Sequence, residues 1–399
     1  MSLTNVSSPS TSDLLDKVEQ IRPILERNGP TGDEERRVPD ESLDALTEAG
    51  LFKVTRPRRY GGYESPIEAY LEVGAAVSHA DGATGWLYTL GAVNLWVLGL
   101  MSAEAQDDVW GQNPDARLAG VLAPTAKSTK VEGGWRVTGQ WGFASGCLYA
   151  DWVVVGFPAV DEDGQALGDY SALIPASDWT VDDTWFVAGM RGTGSNTVVV
   201  DDAFVPEHRA IPVGPCVGGS YATPYKGEAL YRSAFVPVLA IVLAAPVIGL
   251  AEAALDLVIE KAPKRGISYT KFTRQTDSAG FQIAVSKAAM LSDTARLHML
   301  RAARDIDEAA ARDVYPDLVS RARARADTGY STTRAREAID LLLTAHGAGG
   351  MAQVSPLQRI WRDANTGGRH AVVNPLGNEE IYGKALLGIP AEDNITPLV

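Results

Sequence analysis

The sequence predicts an α+β protein in three successive parts. These are an N-terminal helical domain at 13–115, a small antiparallel β barrel at 116–213, and a C-terminal helical bundle at 228–390. Three observations predict this layout. Apolar residues recur at helical spacing through the first part. From about Arg117 the pattern changes to short β-type runs broken by Gly, Pro, Asp and Asn. After a Gly- and Pro-rich stretch at 212–227 the helical period returns.

The elements follow in order. Leu14, Leu15, Val18, Ile21 and Leu25 mark a helix at 13–28. Pro39 with Asp40 and Glu41 opens a second at 40–49, which Gly50 ends. RPRRYGGYESP, 56–66, is a loop. Helices are expected at 67–79, 82–100 and 103–110, the middle one almost wholly apolar. The β runs are LAGVLAP, KSTKVEGGWRVTG, ADWVVVG, YSALIPA, WTVDDTW and NTVVVDDAFVP. Trp152 to Val155 is continuously apolar, as a strand buried on both faces should be. The bundle helices are expected at 229–262, 279–312, 316–346 and 354–366, with the arginines of the third mostly on a solvated face.

Bulk properties narrow the function. The 399 residues suffice for two or three domains, and 45% apolar with 22% charged residues is ordinary for a globular protein. A net charge of −14 speaks against a nucleic-acid partner. Two cysteines make no disulfide framework, so a cytoplasmic location is expected. The five histidines show no metal-ligand spacing. The eighteen uncharged residues at 234–251 contain Pro237, Pro246 and Gly249 and read as a buried helix, not a membrane span. The glycine clusters GMRGTG (189–194) and GAGG (347–350) lack strand–turn–helix context, so no nicotinamide site is expected.

The stretch 137–156, VTGQWGFASGCLYADWVVVG, offers aromatics to stack on, glycines for close approach and one small hydroxyl, Ser145. A planar redox ring needs such groups, although an ordinary sheet with a hairpin turn would carry them too. Phe143-Ala144-Ser145-Gly146, the segment GMRGTGSNTVVVDDAFVPEHR (189–209) and the segment HGAGGMAQVSPLQRIWRDANTGG (346–368) together resemble the acyl-CoA dehydrogenase superfamily. RRYGGY (58–63) adds a fourth match, and the likeness spans 13–389. The resemblance implies a helical domain, a β barrel, a four-helix bundle and a homotetramer.

Two departures redirect the chemistry. Removal of an α-proton from an acyl thioester needs a carboxylate base, yet 364–374 contains no Asp or Glu and carries Arg369-His370-Ala371 instead. The usual Thr-Glu-Pro turn is replaced by Ala123-Pro124-Thr125. Both departures resemble the two-component flavin-dependent monooxygenases. That subgroup implies reduced flavin (FADH2 or FMNH2) delivered by a separate NAD(P)H-flavin reductase, O2 as co-substrate, and an aromatic or natural-product-type small molecule to hydroxylate or N-/S-oxygenate. It also implies site roles. Ser145 and His370 are catalytic. Trp141, Phe143, Ser145, Thr193, Ser195, Gly347, Gly349 and Gly350 bind cofactor, and Trp86, Asn94 and His370 face substrate. Phenol hydroxylases of the subgroup often carry a His where Val93-Asn94-Leu95 stands. Two competing readings remain: a flavin dehydrogenase or oxidase using Glu252 or Glu260, and a non-enzymatic helical assembly protein.

Overall fold

A computed structural model describes residues 8–399. Five helices come first: α1 (Thr11–Glu35), α2 (Asp40–Glu48), α3 (Ile67–Ala80), α4 (Gly82–Leu100) and α5 (Ala103–Trp110). Ser10 and Asp13 cap α1 reciprocally, each side chain bonding the other's backbone amide. The helix runs past the expected stop at Asn28 because packing overrides the weak local propensity of Gly29-Pro30. Asp81 caps α4, accepting from the Thr84 amide at 2.9 Å.

The β region contains β1 (Leu118–Val121), β2 (Lys127–Val131), β3 (Gly134–Trp141), β4 (Trp152–Val160), β5 (Ala166–Pro175), β6 (Thr180–Asp182), β7 (Thr197–Pro206) and β8 (Ala210–Pro212). They form two four-stranded sheets, ordered β1-β4-β5-β8 and β2-β3-β7-β6. All pairs are antiparallel except β1 with β4. The β2–β3 hairpin of the other sheet intervenes between them and supplies the crossover that a parallel pair requires. Trp135, Val137, Trp141, Val153, Val155, Phe157, Val198 and Val200 fill the space between the sheets.

The C-terminal helices are α6 (Val213–Val217), α7 (Phe235–Ile241), α8 (Ala244–Lys261), α9 (Ala279–Ala311), α10 (Leu318–His346), α11 (Pro356–Gly367) and α12 (Pro375–Leu386). The single helix expected at 229–262 is broken between α7 and α8. Pro246 has no amide to give the Val242 carbonyl, and its ring crowds that carbonyl. The last helix, α12, was not expected. Asn374 caps it and Pro375 opens it, but Gly377 and Gly383 blur its period. The arginines of α10 are less solvated than expected: Arg325 is buried, and Arg321, Arg323, Arg334 and Arg336 are half-buried.

One continuous core joins the N-terminal helices to the C-terminal ones, with α8 at its centre. Gly249 permits the closest approach, since a Cβ there would lie 2.1 Å from the Ala75 carbonyl oxygen of α3. Both segments apolar enough to cross a bilayer, α4 and α7–α8, are packed inside the molecule.

Candidate active site

The site starts where β3 ends. After Trp141 the chain turns, and Phe143 enters the left-handed region at φ +63°, which costs a side-chain-bearing residue on the order of 1 kcal/mol. The turn throws the Phe143 ring outward, 74% exposed. The ring rests edge-on against Trp185, with centroids 5.8 Å apart. Asn196 fixes this arrangement. Its side-chain oxygen accepts from the Thr184 and Trp185 amides, and its carbonyl accepts from the Ala144 amide.

Ser145 is buried behind Phe143. Its Oγ accepts from the Trp86 indole Nε1 at 3.2 Å and lies 2.7 Å from Ser195 Oγ. Ser195 Oγ lies 2.7 Å from Thr193 Oγ1, which donates to the Met190 carbonyl at 2.8 Å. Thr193 and Ser195 were expected to reach a cofactor directly. At 0% and 3% exposure they instead stand in line behind Ser145.

His370 arrives from the other side, in the turn after α11. Gly367 lets α11 close onto Trp86, because a Cβ there would lie 2.9 Å from the indole. The His370 ring faces Trp86, centroids 6.1 Å apart. Trp86 thus touches both Ser145 and His370. The His370 Nδ1 accepts from the Val372 amide at 3.3 Å. Solvent reaches the imidazole, but the crowding around it desolvates the ring and lowers its pKa below the usual 6.5. The neutral ring therefore carries its proton on Nε2, facing away from the backbone.

Asp363 ties the two halves together. Its Oδ1 accepts from the Met190 amide at 2.5 Å, linking α11 to the turn that bears Thr193 and Ser195. Burial pushes its pKa up to about 7, against the opposing pull of Arg359. Trp185, Met190, Asn196 and Asp363 escaped the sequence reading. Asp363 stood in a quoted Arg-Asp pair, and Asn196 beside Ser195, but neither residue type announces a backbone-holding role.

Other expected residues lie elsewhere. Trp141 does not face a cofactor. It is 1% exposed in the β core, its indole donating to the Ala123 and Gly156 carbonyls. Asn94 is buried on α4, its amide donating to the Leu90 carbonyl and its Oδ1 pressed against Gly120 of β1. Gly347, Gly349 and Gly350 lie beyond the opposite end of α11, a helix of 12 residues, about 18 Å long. Beside them Arg265 Nε, Gln275 Oε1 and His346 Nδ1 are buried without hydrogen-bond partners, and the Arg265 guanidinium lies over Gly349. Those orphaned atoms fit a polar ligand segment, Arg265 Nε donating to an acceptor or anion and Gln275 Oε1 accepting from a donor.

Near Ser145 a small, mostly apolar cleft of about 30 Å³ is lined by Phe52, Leu87, Gly91, Arg117, Leu118, Gly146 and Tyr149. Glu252 is occupied in a cluster with Arg296 and Glu72, its Oε1 3.0 Å from Arg296.

Two β sheets set among helices, with an exposed aromatic ring at Phe143 and an indole linking the buried Ser145 hydroxyl to the His370 imidazole, offer the groups of a flavin-type site. Residues 241–375 match the family described as acyl-CoA dehydrogenase, C-terminal domain. The chain is 33% identical over 382 residues to the flavin-dependent monooxygenase oxygenase subunit HsaA of Rhodococcus jostii (strain RHA1), covering 96% of this chain and 100% of that one. It is 31% identical to the oxygenase component of the FADH(2)-dependent resorcinol hydroxylase of Rhizobium sp. (strain MTP-10005), covering 94% of each. The structure of XiaF from Streptomyces sp., in complex with FADH2 and glycerol, superposes with a TM-score of 0.91 at 37% identity, covering 97% of each chain. The chain belongs to the two-component flavin-dependent monooxygenases of the acyl-CoA dehydrogenase fold. It is an oxygenase component that uses reduced flavin, and a separate flavin reductase is its partner. The dehydrogenase and assembly-protein readings fall with that assignment.

Proposed function

We propose that this oxygenase inserts one oxygen atom into an aromatic or natural-product-type small molecule held between α4 and the Phe143 turn. The observation that carries the reading is the meeting of Ser145 and His370 on the two sides of Trp86. Support for an aromatic substrate comes from the resorcinol hydroxylase among the relatives and from the apolar side chains that α4 and β1 gather beside Gly146. Trp86 belongs to the substrate side of this reading, whereas Asn94 is held inside α4 against β1.

Reduced flavin, when bound, supplies the electrons and activates dioxygen. The chain's own residues do the rest. Phe143 would offer its exposed ring to the flavin, and Ser145 Oγ would hold its central-ring nitrogen. His370 Nε2–H would donate a hydrogen bond to a substrate hydroxyl or to an oxygen at the reacting position. Trp86, Phe143 and Trp185 keep water from the reacting atoms, which suppresses loss of reducing equivalents as hydrogen peroxide.

The flavin tail would rest on Gly347, Gly349 and Gly350 of a neighbouring subunit, with Arg265, Gln275 and His346 as polar partners. This reading implies a homotetramer. Its support is the length of α11 between that loop and His370, and the apolar side chains that α9 exposes. The reductase would be NAD(P)H-dependent and deliver flavin by diffusion. A cytoplasmic location accords with Cys147 and Cys216, both buried and unpaired.

The test is Ser145→Ala, assayed with photoreduced flavin and oxygen. The expected result is at least a several-fold rise in hydrogen peroxide per reduced flavin consumed. An unchanged peroxide yield would remove Ser145 from the mechanism.

A further inference from the structure

We propose that Thr193 and Ser195 are positioning residues that hold the Ser145 hydroxyl as a hydrogen-bond acceptor, and that this polarity makes the site favour reduced over oxidised flavin. The inference rests on the proposed contact between Ser145 and the central-ring nitrogen. The polarity itself follows from proton counting along the buried chain.

A carbonyl oxygen can only accept, so Thr193 spends its one hydroxyl proton on the Met190 carbonyl, 2.8 Å away. The 2.7 Å contact from Thr193 to Ser195 must then be donated by Ser195. Ser195 has no second proton, so the 2.7 Å contact to Ser145 must be donated by Ser145. An indole N–H can only donate, so the 3.2 Å contact from Trp86 puts a proton on one Ser145 lone pair. The chain is directional from Trp86 to Met190. Ser145 has given its proton inward and keeps one free lone pair.

A reduced flavin carries N5–H, a donor that a free lone pair receives. An oxidised flavin presents a bare N5 lone pair, which meets the Ser145 lone pair with no proton between them. Turning Ser145 outward would strand Ser195 without a donor in a place 3% exposed. The anchor of the device is therefore Thr193, which makes no contact with the flavin edge of the site.

Thr193→Val keeps the shape and removes the anchor. The Met190 carbonyl retains the Trp185 indole at 2.9 Å and the Thr193 amide at 3.1 Å, so the turn keeps its other holds. Ser195 can then donate to Ser145, and Ser145 can donate outward. Dissociation constants for FAD and FMN, oxidised and anaerobically photoreduced, should be measured by absorbance and fluorescence titration. The ratio of oxidised to reduced constants is expected to fall about tenfold, mainly through tighter binding of the oxidised form. Thr193→Ser should restore the wild-type ratio. Ser195→Ala, which frees the Ser145 proton one step nearer, should shift the ratio the same way and serves if Thr193→Val does not fold.

An unchanged ratio in Thr193→Val or Ser195→Ala overturns the proposal, and so does an equal weakening of both redox forms. A different result strikes the underlying reading. If Ser145→Ala leaves both constants and their ratio as in wild type, Ser145 does not meet the flavin at all.

Discussion

At His370 a single backbone contact decides which nitrogen holds the proton. The Val372 amide occupies Nδ1, so the neutral ring carries its proton on Nε2. A donor, not a base, is what the resting enzyme offers there. Desolvation lowers the pKa below 6.5, so the neutral form persists to more acid pH than in a free histidine. Two consequences follow. Protonation keeps the Nε2–H donor but puts a proton on Nδ1 and breaks the Val372 contact that orients the ring, so coupling of flavin oxidation to product should hold through neutral pH and fail only below the ordinary histidine range. Stability carries the same sign. The unfolded chain takes up this proton more readily than the folded one, so the group penalises the fold as pH drops below 6.5 and costs nothing above it. His370→Gln, whose side-chain amide keeps an N–H donor, should retain several-fold more coupling than His370→Ala, and should lose the acid limb. Equal loss in the two variants, or an acid limb surviving in both, would show that a different group sets the profile.

Between the elements, Asp363 joins α11 to the turn that carries the hydroxyl chain. Its folded pKa of about 7 stands above the ordinary 3.8, chiefly because it is buried. The sign follows from linkage. The stabilising effect of its proton is complete below 3.8 and is lost as pH rises through 7. Asp363→Asn cannot ionise yet still accepts from the Met190 amide. Its stability relative to wild type should therefore improve between about pH 5 and pH 8, by on the order of 1–3 kcal/mol. Denaturant melts at the two pH values measure this, and a difference that stays flat would mean that Asp363 remains ionised throughout. Asp363 also shows what the sequence leaves hidden. Helices such as α1 and α9 were legible because each residue votes for the same period, whereas α4 was legible as an almost wholly apolar run. Strand alternation was legible too, but it misled at the site. Residues 141 and 143 would share a face in an extended strand. The strand ends at Trp141 and Phe143 turns through the left-handed region, so Trp141 faces the core and Phe143 faces out. Contacts such as Ser145–Ser195 or Asp363–Met190 join residues 50 and 173 positions apart, and nothing in local spacing encodes them. The family likeness could point to Ser145 and His370, but not to the atoms that hold them.

For the whole molecule, the proposed reading gives the two ends of α11 to one cofactor by letting more than one chain build each site. The surface suggests where copies meet. On α9, Ile283, Met290 and Leu297 recur every seven residues and are 55%, 62% and 58% exposed. Seven residues are two helical turns, so the three line one stripe. A chain with a net charge of −14 gains nothing by showing such a stripe to water, whereas a second apolar helix would cover it. Placing charges there should therefore break the assembly without disturbing the subunit core. If the proposed homotetramer forms through this stripe, Met290→Glu combined with Leu297→Glu is expected to lower the mass seen by light scattering from four chains to two or one. The helix content should be unchanged, because neither side chain is buried. If the flavin tail rests on the loop of a neighbouring subunit, affinity for reduced flavin should fall with the mass, by about tenfold or more. A variant that stays tetrameric would place the interface on another face. One that dissociates while holding flavin as tightly as before would show that each chain binds its cofactor alone.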